Sequence, residues 1–487
     1  MKRTIAILLA LLSALSTVGC GSTETETEID AAAAAKTETE TEAVETVYPP
    51  EIPEIKFEGS NFNVLYQRNG GYWMDDIYAE GITGEIINDA VYNRNSRLEE
   101  KYDITLTAVE QEDAAGFAKP AIQAADGAFD MVGASMNILF SHAMEGLYLD
   151  WNTLSYVDPF DPWWDSNSAK DLSVGNKLFL MAGNISYSTS KESRLLYISK
   201  GIMQEFNLEL PYDLVRDGKW TLDRMTELVK AVSVDRDGDG VYTADDTLGL
   251  LKESTDFFMT GCGVLLTEKD ESDMPFVNCI NERTISAIEK ITEMMNDPNS
   301  TCSYESAWTG KDMSGYAHGY EFVRYEYYAN NHFLFVQNGP AVSYQFAEMD
   351  PGFGILPNPK LDEAQESYYH LIDSNACILA IPVDVRNIEM VDILLDDWAY
   401  MSDEVIDAYY ETTLKGKRFN APDDSEMLDI VRATTRYEIS NLASFGISEM
   451  LHEAFSTGNL MSVYTSRSKV IDVKINRLYK DIVESDS

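Results

Sequence analysis

Residues 98–109 read LEEKYDITLTAV. Helical spacing ends at Tyr102 and strict alternation begins at Ile104, so a helix runs into a strand with only Asp103 between them. Working back from there, Ile87, Val91, Leu98 and Tyr102 fall on one stripe of a helix across 84–102. Before that helix, NFNVLY (61–66) places Phe62, Val64 and Tyr66 on one face of a strand. Working forward, a helical stretch near 114–125 leads to FDMVG (129–133), a short buried strand. Strand, helix, strand, helix, strand predicts βαβ units and a mainly parallel sheet.

The pattern continues down the chain. LFLMAG (178–183) reads as a strand. Thr221 is expected to cap a helix that turns Leu222, Met225, Leu228, Val229 and Val232 inward, and Thr284 to cap another with Ile285, Ile288 and Ile291 inward. Strands follow at FLFV (333–336), FGIL (353–356) and ACILAI (376–381), and the last hundred residues read as mostly helical. No repeat of fixed period is visible. The 487 residues, 45% apolar and 11% aromatic, are enough for a sizeable core. With no linker after residue 56, two α/β lobes joined by more than one chain crossing are expected.

The chain carries 37 Lys and Arg against 82 Asp and Glu, a formal charge of −45. Such a surface repels phosphate backbones, which argues against a nucleic-acid partner. The N-terminus reads as an address. Lys2 and Arg3 precede the apolar run IAILLALLSAL (5–15), too short to span a bilayer comfortably, and small residues follow. The run ends in Thr17-Val18-Gly19-Cys20, which resembles a bacterial lipobox with Thr17 where Leu is usual; an ordinary cleavage site is the alternative. Residues 1–19 are thus expected to be a signal peptide and Cys20 the lipidated N-terminus. Residues 20–56 have the Thr/Glu/Ala composition of an extended acidic tether to the outer face of the cell membrane. The remaining cysteines, Cys262, Cys279, Cys302 and Cys377, permit disulfides in an exported chain or serve as buried thiols.

The order of these segments resembles the extracellular solute-binding proteins of bacterial ABC importers, in the family whose better-known members bind sugars. The likeness runs through most of the body. LLYISKGIMQEFNLELP (195–211) resembles the family's Tyr-led start of lobe two, and DGKWTLDRMTELVKAV (217–232) its Trp-led helix. VQNGPAVSY (336–344) resembles its Asn-Gly-Pro strand, and FGILPNPKLDEAQESYYH (353–370) its Leu-Pro-x-Pro-Lys segment. Tyr212-Asp213-Leu214-Val215 departs from the usual Pro-Pro-Thr-Trp lead, which marks a divergent branch. The resemblance implies a type II Venus-flytrap: two lobes, three crossovers, and a ligand held by hinge closure. Lobe one is expected at 57–185 with 333–370, and lobe two at 186–332 with 371–487.

One segment has metal-ligand spacing. In Asp235-Arg-Asp237-Gly-Asp239-Gly240-Val241, with Asp246 at the twelfth position, alternate oxygens and a permissive glycine match a calcium loop of the EF-hand kind. Asp246 is shorter than the usual Glu, and an Asp/Gly turn closing the preceding helix is the competing reading. A filled loop would hold structural Ca2+. Enzyme constellations are poor: the histidines (142, 318, 332, 370 and 452) show no paired metal spacing, and there is no nucleophile elbow or Gly-rich phosphate loop.

Aromatics in polar loops are more informative, because sugar C–H faces stack on rings while Asp and Asn bond the hydroxyls. Trp163-Trp164-Asp165 follows a turn-rich stretch, Tyr72-Trp73 follows the first strand, and Trp308 lies in SYESAWTGKD. The expected ligand set is Tyr66, Trp73, Asn137, Trp163, Trp164, Asp165 and Tyr187, with Trp308, Asp373 and Asn375 from lobe two. The resulting expectation is a monomeric, non-catalytic binding protein that delivers a mono- or oligosaccharide to a permease. A surface-anchored glycoside hydrolase and a carbohydrate-binding adhesin are the alternatives.

Overall fold

The computed structural model describes residues 49–68, 73–443 and 445–483. The expected signal, Cys20, most of the tether and Tyr72 lie outside the described residues. Strands along the described chain are β1 (Ser60–Gln67), β2 (Ile104–Gln111), β3 (Met131–Ser135), β4 (Leu195–Ser199), β5 (Leu248–Lys252) and β6 (Thr267–Lys269). They continue as β7 (Pro275–Val277), β8 (Thr301–Ser303), β9 (Phe333–Asn338), β10 (Phe353–Leu356), β11 (His370–Leu371), β12 (Cys377–Ala380) and β13 (Thr435–Arg436).

Two sheets carry the fold, one of four strands in the order β12-β3-β1-β2 and one of five in the order β10-β4-β9-β5-β8. In the first, β1 runs parallel to β2, from Ser60 beside Ile104 to Gln67 beside Gln111, and parallel to β3. The helix between β1 and β2 spans Ile86–Tyr102 and buries Val91, Leu98 and Tyr102, the expected stripe. Every residue of β3 is buried, because helices cover both faces of a parallel sheet. In the second sheet β5, β8, β9 and β10 run one way, and β4, between β9 and β10, runs against them.

The mixed α/β, two-lobed expectation stands, but its division of the chain does not. β9 and β10 belong to the second sheet, between and beside lobe-two strands, and β12 pairs antiparallel with β3 in the first. The segments 333–370 and the start of 371–487 therefore exchange lobes. Short, wholly apolar strands such as FLFV and CILA carry no face preference, so pairing partners rather than pattern decide their sheet. The chain leaves the first sheet before β4, returns between β10 and β12, and crosses again after helix Ile388–Tyr400 toward helix Pro422–Ala433, which packs on β10.

Two local expectations change. LFLMAG forms only isolated bridges, Met181 to Leu379 and Gly183 to Trp164. Thr221 caps its helix through Arg224 N–H, but the helix Glu282–Met295 is capped by Asn281, whose Oδ1 accepts from Thr284 N–H. Thr284 is a buried residue of the first turn, so the polar residue three positions earlier holds the cap. The four described cysteines are buried and form no disulfide, which selects thiols over disulfides. No described helix is long and apolar enough to cross a membrane.

Candidate ligand cleft

Strand direction gathers polar residues at one end of each sheet. In the second sheet, Glu253 follows β5, Tyr304 follows β8 and Gly339 follows β9, all at carboxyl ends of parallel strands. Antiparallel β4 brings Arg194 to the same end, since Leu195 lies beside Asn338. In the first sheet, Asn137 follows β3, and antiparallel β12 brings Asp373 and Asn375 to it, with Cys377 beside Ser135. Crevices outside strand carboxyl ends are where open α/β sheets bind ligands.

Arg194 joins the two ends. It pairs with Asp373, donates to Asn338 Oδ1 at 2.9 Å, lies 3.8 Å from Glu192 and rests over the Phe257 ring. Asp373 Oδ1 accepts from the backbone and side-chain N–H of Asn375, and Asn375 Oδ1 accepts from Asn137 Nδ2 at 3.1 Å. Burial alone would raise Asp373, but the Arg194 guanidinium and the Asn375 donors hold its carboxyl below the usual range. Glu192 has weaker compensation, and burial pushes it up to about 7 despite Arg194. Burial likewise raises Glu253, which feels both Arg194 and Asp373. Asn137 Oδ1 and Glu253 Oε2 are buried without a hydrogen-bond partner among the described residues. A buried acceptor left so costs about 1–3 kcal/mol unless a ligand or water satisfies it.

Of the expected ligand residues, Asn137, Asp373 and Asn375 come together here, with Asp373 and Asn375 entering from the first sheet rather than from lobe two. Trp73 stands nearby, half-buried, under the Lys191 ammonium, which also sits over Tyr187 and pairs with Asp75. The other residues lie elsewhere. Tyr66 is buried on β1 and donates to Glu110. Trp163 and Trp164 are both buried, and both indole N–H groups donate to Asp396 Oδ1, at 2.7 and 3.0 Å. Asp165 caps helix Ser166–Leu172 and accepts from Tyr437 OH. Tyr187 is stacked flat on Tyr409, ring centroids 4.0 Å apart. Trp308 packs in lobe two against Tyr304 and Tyr320. Arg194, Glu192 and Glu253 were missed: they stand in ordinary charged runs, Lys191-Glu192-Ser193-Arg194 and Lys252-Glu253, and only strand pairing aims them.

In the 235–246 loop, Asp235, Asp237 and Asp239 place one oxygen each within 4.8 Å of one another. Gly238 and Gly240 take positive φ and donate to Asp235. Asp246 does not join them: its carboxylate accepts from Arg236 and Thr243 N–H, and the Val241 side chain is exposed.

The sequence matches no protein-family model and no curated protein. Solved structures do resemble it. The sugar-binding protein MalE from the phytopathogen Xanthomonas citri superposes with a TM-score of 0.55 at 13% identity, over 88% of this chain and 100% of that one. The fold is that of the two-lobed solute-binding proteins. UspC of M. tuberculosis (TM-score 0.53, 11% identity) covers 85% of this chain and 100% of its own. The GacH receptor of Streptomyces glaucescens GLA.O, solved without ligand and with acarbose, follows at 0.51 and 12%, over 86% and 99%. That fold accounts for the two sheets.

Proposed function

We propose that the chain is a non-catalytic binding protein that captures a carbohydrate between its lobes. The carrying observation is the paired set of buried acceptors at the two strand ends, Asn137 Oδ1 and Glu253 Oε2, beside the Arg194–Asp373 pair. Acceptors and charge-assisted donors at one junction suit the donor-and-acceptor hydroxyls of a sugar, and half-buried Trp73, under the Lys191 ammonium, offers a ring face. Similar folds support the reading: the GacH receptor binds acarbose, and a cyclo/maltodextrin-binding protein with a TM-score of 0.51 holds maltotetraose.

Calorimetry against mono- and oligosaccharides tests it. One saturable site without product formation is expected, and Asp373→Asn should weaken it. Turnover of a polysaccharide would instead favour the hydrolase. In this reading Cys20 anchors the chain to the outer membrane face, and the loaded protein docks on an ABC permease. Cys20→Ser should then release the protein into the medium; continued membrane association would overturn the anchor. Asp235, Asp237 and Asp239 would hold a structural Ca2+, with the Val241 carbonyl and water completing the oxygens and Asp246 bracing the loop.

A further inference from the structure

A second cavity, of about 230 Å3, lies among the chain crossings rather than at the strand ends. Its walls come from 183–190 in the first crossing, Ile372 in the second and 406–437 in the third, closed by 162–167. At about 30 Å3 per water it has room for roughly eight waters, or one six-membered sugar ring. Gly183 lets the first crossing lie against its aromatic wall, since a Cβ there would stand 2.4 Å from Trp164 Cε3.

The wall chemistry is specific. Trp164, Tyr410 and Tyr437 supply ring surface, while Asp165 and Thr189 supply polar groups. At the mouth the exposed Arg432 guanidinium lies 4.1 Å from the Tyr410 ring centroid. It makes no hydrogen bond or ion pair among the described residues. Asp403 feels its charge, but only from beyond ion-pair distance. Stacking on Tyr410 also pre-orients its planar fork for a bidentate carboxylate.

The geometry points to this cavity as a separate site for a hexuronate-sized ligand, a hydroxylated ring bearing one carboxylate. The carboxylate meets Arg432, a ring face lies on the aromatic wall, and the hydroxyls reach Asp165 and Thr189. Because the walls belong to all three crossings, which shift against one another as lobes close, occupancy is linked to closure of the cleft.

The test uses the full chain with D-glucuronate and D-galacturonate as probes and D-glucose as the uncharged control, read by calorimetry. At least one uronate should bind at least tenfold more tightly than glucose. Arg432→Gln, a change at an exposed position, should remove that tenfold preference while leaving oligosaccharide affinity within twofold. Binding of neither uronate would overturn the proposal. So would uronate binding that survives Arg432→Gln, or that a saturating cleft oligosaccharide displaces competitively. Failure of the cleft reading would appear separately, as absence of oligosaccharide binding.

Discussion

Trp163 and Trp164 occupy a polar, turn-rich segment, and so does Trp308, yet the two places use the same side chain differently. The pair at 163–164 is buried, with two indole N–H groups on a single carboxylate oxygen and ring edges against Trp151 and Tyr400. Trp308 is half-buried and closes the short helix Tyr304–Trp308 rather than lying in a loop, just ahead of Lys311, which pairs with Asp245 at 2.8 Å, and it meets Tyr320 edge-on. A tryptophan in a polar segment therefore has no fixed role. What decides it is whether the fold brings a buried acceptor to its N–H, as helix Ile388–Tyr400 brings Asp396.

The largest effect should come from cutting into the buried pair. Trp164→Ala removes a large packed ring and should cost about 3–5 kcal/mol of stability in denaturant titration. Cleft affinity per folded molecule should be unchanged. A tenfold loss of affinity with stability intact would break the contrast and return Trp164 to ligand contact.

The second effect concerns the shared carboxylate. Burial pushes Asp396 up to about 6. The folded state therefore holds that proton more tightly than the unfolded one. The associated stability is present below pH 4 and is lost as pH rises from about 4 through 6, by on the order of 2–3 kcal/mol. Asp396→Asn keeps an oxygen for both indoles and should flatten that part of the curve, followed by urea midpoints between pH 4 and 7.5. Buried Asp76 and Glu192, raised to about 6 and about 7, slope the same way and should persist in the variant. An unaltered slope would show that Asp396 does not carry the effect.

Trp308→Ala sharpens the other side. Because this half-buried ring packs on Tyr304 and Tyr320 away from the strand-end junction, its loss should lower stability less than Trp164→Ala does and leave cleft affinity within twofold. A large stability loss alone would place it with the buried pair. The smallest effect is expected from EDTA. Calcium at about ten times its Kd would add ~1.4 kcal/mol to the folded state, so chelation should lower the melting temperature slightly. Because Asp245 ties the acidic loop to Lys311, the Trp308 fluorescence should shift with it. A melting curve indifferent to EDTA and to added calcium would reduce 235–246 to a turn.

Much of the fold was legible in the residues. The strands at 61–66, 104–109 and 129–133 and their intervening helices stand where alternation and helical spacing place them, because these periods are local. The cleft was legible only in part. Asn137, Asp373 and Asn375 converge, but their partner Arg194 stands 179 residues from Asp373 and carries no local signal. Trp164, Asp165 and Tyr187, expected in the cleft, line the cavity at the crossings instead.

Sequence by itself determined the alternating α/β class, the acidic surface and the loop spacing at 235–239, since each depends on neighbours along the chain. Tertiary structure alone decided that β9 and β10 join the second sheet while β12 joins the first. The apolar runs fit either sheet equally well, and the hydrogen-bonding partner at each strand edge made the choice. That choice also aimed Arg194, Glu253 and Asp373 at one junction and turned the two tryptophans inward onto Asp396.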